Sequence, residues 1–141
     1  MLDKWDTRFL HLASHVASWS KDPSTQVGAV LVGTRKQVAL GYNGFPPGIA
    51  DSQNRLTHRE IRLRYTLHAE RNVLDNAAFP TKGATLYTTH PPCCNCALSI
   101  VSKEISRVVA LPVCDSFLER WGAEIFQSRE IFREANIECN F

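Results

Sequence analysis

The chain has 141 residues, 44% apolar and 21% charged, which suits one folded domain over residues 1–141 and excludes a disordered or low-complexity protein. Its net charge of +2 supplies no global pull toward nucleic acid or a membrane surface. No apolar run approaches the roughly 20 residues of a membrane span, no secretory signal opens the chain, and an odd count of five cysteines points to thiols or metal ligands in a reducing, cytoplasmic compartment.

Residues 3–20, DKWDTRFLHLASHVASWS, space Trp5, Phe9, Leu12, Val16 and Trp19 along one helical face, with Asp3 or Asp6 as the cap. Pro23 ends that helix. QVGAVLV (26–32) and QVALGYN (37–43) read as strands of a β-hairpin, and NGFPPG (43–48) as a turn-rich loop. RLTHREIRLRY (55–65) is basic and helical, with Arg55, Arg59 and Arg62 on one face. TLHAERNVLDNAAF (66–79) has helical spacing, GATLYTT (83–89) is a strand, and CALSIVSKE (96–104) is a short helix. SRVVALPV (106–113) is a strand, DSFLERWG (115–122) and SREIFREAN (128–136) are helical, and NIECNF (136–141) is a closing strand. Strands alternate with helices after the hairpin, the pattern of an α/β fold with a partly parallel sheet.

Three cysteines crowd into THPPCCNCA (89–97). Alone, Cys93-x-x-Cys96 is compatible with two buried small residues, a redox pair or a metal site. Upstream stands His68-Ala69-Glu70. H-x-E followed by P-C-x-x-C is the pattern of zinc nucleobase deaminases. Catalytic zinc takes about three protein ligands and leaves one position open, and His68, Cys93 and Cys96 supply three. Both thiols reach one ion only if they lie in the first turn of the helix they open, where the positive end of the helix favours thiolate. His68 and Glu70, two apart, serve one site only if they straddle a helix start. Ala69 then brings its backbone to the substrate with no bulky side chain. Two thiolates leave the centre nearly neutral, so Glu70 is needed as proton acceptor and shuttle rather than as ligand. Cys94 points away as a bystander, and Cys114 and Cys139 are expected to pack as small hydrophobes. His11 and His15, without a third ligand, belong to the helix surface or core edge.

With SKDPSTQVGAVLV and ALGYNGFPPG added to these motifs, the chain from Trp5 to about Leu111 resembles the deoxycytidylate (dCMP) deaminases of the cytidine deaminase-like superfamily. The resemblance implies a three-layer α/β sandwich, with a mixed five-stranded sheet and helices on both faces. It implies one Zn²⁺ held by His68, Cys93 and Cys96, with Glu70 as shuttle, Asn43 at the sugar hydroxyl and Val27 near the base. It further implies hydrolysis of dCMP to dUMP, which feeds dTTP synthesis. A homohexamer, activation by dCTP with Mg²⁺ and inhibition by dTTP are implied too. Lys21 and Asp22 of the SKD stretch, and Gly41, Tyr42 and Gly44 of GYNG, resemble segments tied to that effector site. Pro91 and His90, before the Pro-Cys pair, depart from the family pattern.

A substrate phosphate needs cations or N–H groups. Lys21 and the basic stretch Arg55, Arg59, Arg62 and Arg64 are candidates, against the plainer reading of a solvated face or subunit contact and a third reading in which the stripe holds an effector triphosphate. Two alternatives stand beside the deaminase of free nucleotides. One is a deaminase of a base within RNA, such as tRNA adenosine. The other is a non-catalytic zinc or nucleotide-binding module, for which Glu70 has no evident use. Nucleic acid is not expected as a partner, because no aromatic run interleaved with positive charge appears.

Overall fold

A computed structural model describes residues 2–141. Five strands form one mixed sheet in the order β2-β1-β3-β4-β5. β1 (Gly28–Val32) and β2 (Val38–Tyr42) make the expected hairpin, with Val30 opposite Leu40. β1 also runs antiparallel to β3 (Thr85–Thr88), whereas β3, β4 (Arg107–Ala110) and β5 (Glu138–Asn140) are parallel. Six helices accompany them: α1 (Lys4–Ala17), α2 (Gln53–Thr57), α3 (Arg59–Tyr65), α4 (Ala69–Asn76), α5 (Cys94–Ser102) and α6 (Asp115–Glu134).

Alternation along the strands gives the sheet two apolar faces. Val30, Tyr87 and Val109 pack with Leu10 and Ala13 of α1. Ala29, Leu31, Leu86 and Val108 face the other way, toward Val73 of α4, Ile100 of α5 and Phe132 of α6. The sheet therefore lies between helices on both sides, the expected three layers. No helix among the described residues is long and apolar enough to cross a membrane.

Three expectations need correction. In α1 the buried residues are Asp6, Leu10, Ala13, Val16 and Ala17, while Trp5 and Trp19 are exposed. Counting apolar residues rotated the face, because its first position is an acid. Asp3 caps α1, and Asp6 accepts two hydrogen bonds from the Arg107 guanidinium, at 2.6 and 2.9 Å. The Tyr87 hydroxyl donates to the same carboxylate at 2.8 Å.

The basic helix is two helices. His58, with φ −88° and ψ 102°, ends α2 and begins α3, which separates Arg55 from Arg59 and Arg62. Conversely, the two C-terminal helical segments are one 20-residue helix, α6. A Cβ at Gly122, inside it, would meet nothing within 4 Å. That helix covers one end of the sheet and supplies a wall of the site.

Candidate metal centre

His68 is the N-cap of α4, with extended backbone at φ −69° and ψ 153°, and Glu70 lies in the first turn. Residues two apart thereby face one site, as the H-x-E spacing requires. The approach to His68 is fixed by a two-way bridge: Gly44 N–H donates to the Leu67 carbonyl at 3.1 Å, and Leu67 N–H to the Gly44 carbonyl at 2.9 Å. α4 then lies against β2 where Gly41 has no side chain. A Cβ there would stand 2.5 Å from Val73 N and 2.8 Å from the Ala69 carbonyl. Gly41 thus sets the depth of His68 and Glu70.

Cys93 is the N-cap of α5 and Cys96 sits in its first turn. The His68 Nδ1 lies 3.6 Å from Cys93 Sγ and 3.4 Å from Cys96 Sγ, and all three ligand atoms fall within 4.8 Å of one another. Two sulfurs and one imidazole nitrogen suit zinc, and no fourth ligand joins the cluster among the described residues. That donor set matches a catalytic rather than a closed structural ion. A hydrogen bond from Cys96 holds the Cys93 thiol well below the usual range and pushes Cys96 up. The hydrogen bond with Cys93 raises His68. Glu70 is buried beside these groups, and burial pushes its carboxyl above the ordinary glutamate range.

Cys94 turns away, its thiol facing Glu124 and Gln127 of α6. Cys139 is half-buried in the core, whereas Cys114 is exposed at the start of α6, 3.1 Å from Ser116 Oγ, so it is not packed as expected. His11 and His15 are both exposed on α1.

A cavity of about 270 Å³ opens on the metal cluster. Val27, Asn43, His68, Ala69, Glu70 and Cys93 line it. The Asn43 side chain braces the entry to β1: its Oδ1 accepts the Val27 N–H at 2.9 Å and its Nδ2 donates to the Thr25 carbonyl at 2.9 Å. One N–H and one lone pair of the amide stay free for a ligand. His90, half-buried, packs against the Phe117 ring at 5.3 Å with the planes tilted by 44°, and burial pulls its pKa down.

Arg59 lines this cavity and Arg55 does not. Arg55 donates to the Ala50 carbonyl at 3.0 Å and lies over the Tyr65 ring at 5.1 Å. Arg62 is buried, with its Nε 3.7 Å from Asp22. Phe117, Arg120, Trp121 and Glu124 of α6 also line the cavity. Sequence reasoning missed all four; their i, i+3, i+4 and i+7 spacing was the available signal.

Lys21, Asp22, Tyr42 and Gly44 line a second cavity of about 120 Å³, where Lys21 pairs with Asp51 at 2.8 Å. Asp22, Asn43 and Thr66 line both cavities. Gly41 is not part of the second.

Residues 3–111 match the family model described as "Cytidine and deoxycytidylate deaminase zinc-binding region". An "Uncharacterized deaminase in luxG 3'region" of Aliivibrio fischeri is 44% identical over 141 residues, covering 100% of this chain and 95% of that protein. The mouse deoxycytidylate deaminase is 36% identical over 116 residues, covering 75% of this chain and 64% of that protein's length. The same fold is found in the dCMP deaminase of cyanophage S-TIM5 in complex with dCMP and dUMP, with TM-score 0.77, 21% identity, and coverage of 99% of this chain and 98% of that one. With its motif segments inside the matched region, which spans most of its length, the chain belongs to the cytidine and deoxycytidylate deaminase family.

Proposed function

We propose that residues 1–141 form a single catalytic domain that hydrolyses dCMP to dUMP and ammonia, using zinc held by His68, Cys93 and Cys96. One observation carries this reading: three donors suited to zinc converge beside a buried carboxylate at the wall of one cavity. Zinc bound there supplies Lewis acidity toward water. Glu70 takes a proton from the attacking water and delivers it to N3 of the cytosine ring. As the water oxygen bonds to C4, the C4 hydroxyl so formed gives up its proton, which the same carboxylate carries to the amino nitrogen. The C4–N bond breaks, ammonia leaves and a carbonyl remains at C4. Ala69 offers backbone beside the ring, and Val27 an apolar wall. Asn43 turns its free amide capacity to the sugar. Arg59 of α3 and Arg120 of α6, both lining the cavity, are the cations for the 5′-phosphate.

The relatives named deoxycytidylate deaminase, such as that of mouse, support dCMP as substrate. The role so assigned is supply of dUMP for dTTP synthesis in the cytoplasm. The second cavity is assigned to a regulatory nucleotide, dCTP with Mg²⁺ as activator and dTTP as inhibitor. The shared wall of Asp22, Asn43 and Thr66 supports it, because a ligand on one side touches residues of the other. Assembly as a homohexamer fits the exposed Leu98 of α5 and Phe126 of α6.

A substrate panel tests the proposal. Zinc-loaded protein is given dCMP, CMP, deoxycytidine and dCTP, each with and without added dCTP or dTTP, and loss of cytosine absorbance is followed. Selective turnover of dCMP, raised by dCTP and lowered by dTTP, is the expected result. Deamination of adenosine in tRNA, with every free nucleotide untouched, would replace this reading by that of an RNA deaminase.

A further inference from the structure

The segment that carries the thiols is tied to one face of α6. Ser128 is fully buried and its hydroxyl donates to the Pro92 carbonyl at 2.5 Å. Glu124 Oε1 accepts the Cys94 N–H at 3.0 Å. The Cys94 thiol faces the Glu124 carbonyl and Gln127 Oε1, each at 3.7 Å. Positions 124, 127 and 128 lie together on the helix surface. Ile125, next to them on the helix, is buried.

This segment has few anchors of its own. Pro91 and Pro92 have no N–H to offer a ladder. The start of α5 has no side-chain cap from Cys93, so the Cys94 N–H needs a partner from elsewhere. The Pro92 carbonyl is buried and would be costly without a partner. α6 lies beyond residue 111, outside the matched zinc-binding region, so the H-x-E and P-C-x-x-C motifs do not encode it.

We propose that Glu124 and Ser128 are positioning residues, which hold residues 92–96 so that both thiols are in ligand geometry before a metal arrives. Neither side chain donates to the metal. Each fixes backbone whose ordering would otherwise be charged against metal binding. The inference rests on the metal reading of His68, Cys93 and Cys96, and not on which nucleotide is deaminated.

Zinc affinity of the whole chain, measured by chelator competition, is the test, together with the absorption spectrum of the cobalt-substituted protein. Glu124→Ala and Ser128→Ala are expected to weaken zinc by about 10–100-fold and to alter the cobalt bands. Glu124→Gln keeps the acceptor oxygen and is expected to bind like the wild type. Should Ser128→Ala fail to fold, the Glu124 pair alone decides. A merely structural role would lower the melting temperature of the metal-free variants and leave zinc affinity unchanged; that result overturns the proposal. Glu124→Gln as weak as Glu124→Ala overturns it too, since charge rather than the hydrogen bond would then matter. A wild-type chain that takes up no zinc removes the metal reading itself, whereas variants equal to a metal-loaded wild type remove only the brace.

Discussion

Cys93, Cys94 and Cys96 are chemically alike, and only where α5 begins tells them apart. The N-cap and the first turn of that helix send Cys93 and Cys96 to His68, and send Cys94 to α6. Cys96→Ala is therefore expected to abolish stoichiometric zinc binding, and Cys94→Ala to retain it, both read by metal analysis after gel filtration. Equal zinc loss in the two variants would contradict the assignment. This part of the site was legible in the sequence because ligand spacing and helix starts are local properties. His68 and Glu70 were legible for the same reason. Arg120 and Trp121 were not, because nothing local says that a helix some 50 residues beyond His68 closes the same cavity.

Two contacts between elements fix how the helices sit on the sheet, and the first of them sets the site. Gly41 lets α4 approach β2 so closely that an added methyl group would collide with backbone of Ala69 and Val73. Gly41→Ala is expected to cost about 1–3 kcal/mol in urea unfolding. It should also reduce activity beyond that loss of stability, by displacing His68 and Glu70. The second contact ties α1 to β3 and β4 through Asp6, Tyr87 and Arg107. The Arg107 guanidinium lowers the Asp6 carboxyl from 3.8 to about 2. A depressed carboxylate contributes stability that is complete above the ordinary value and is lost as pH falls through the folded one. Asp6 therefore supports the fold by roughly 2 kcal/mol above pH 4, and this is lost between pH 4 and 2. Asp6→Asn should flatten the pH dependence of unfolding in that window; an unchanged slope would count against the pairing. The same contact explains why the buried face of α1 escaped an apolar count. Its partner lies 101 residues away, and the pairing makes an acid a core residue.

At the scale of the whole molecule, the hairpin follows from strand patterning, and the three layers from the alternation of buried residues along β1, β3 and β4, whereas the order of the strands is seen only in the structure. The break at His58 and the unbroken α6 were not readable, since local propensity does not fix where a helix stops or whether it runs through a glycine. Both bear on the cavity wall, where Arg59 of α3 and Arg120 of α6 stand among the lining residues. In the proposed mechanism Glu70 carries protons beside a three-ligand zinc. Glu70→Gln tests it most directly, with zinc content and dCMP turnover measured on the same sample. The expected result is full zinc occupancy with turnover reduced by about 10²–10⁴-fold. Turnover equal to that of the wild type in the zinc-loaded variant would contradict the mechanism.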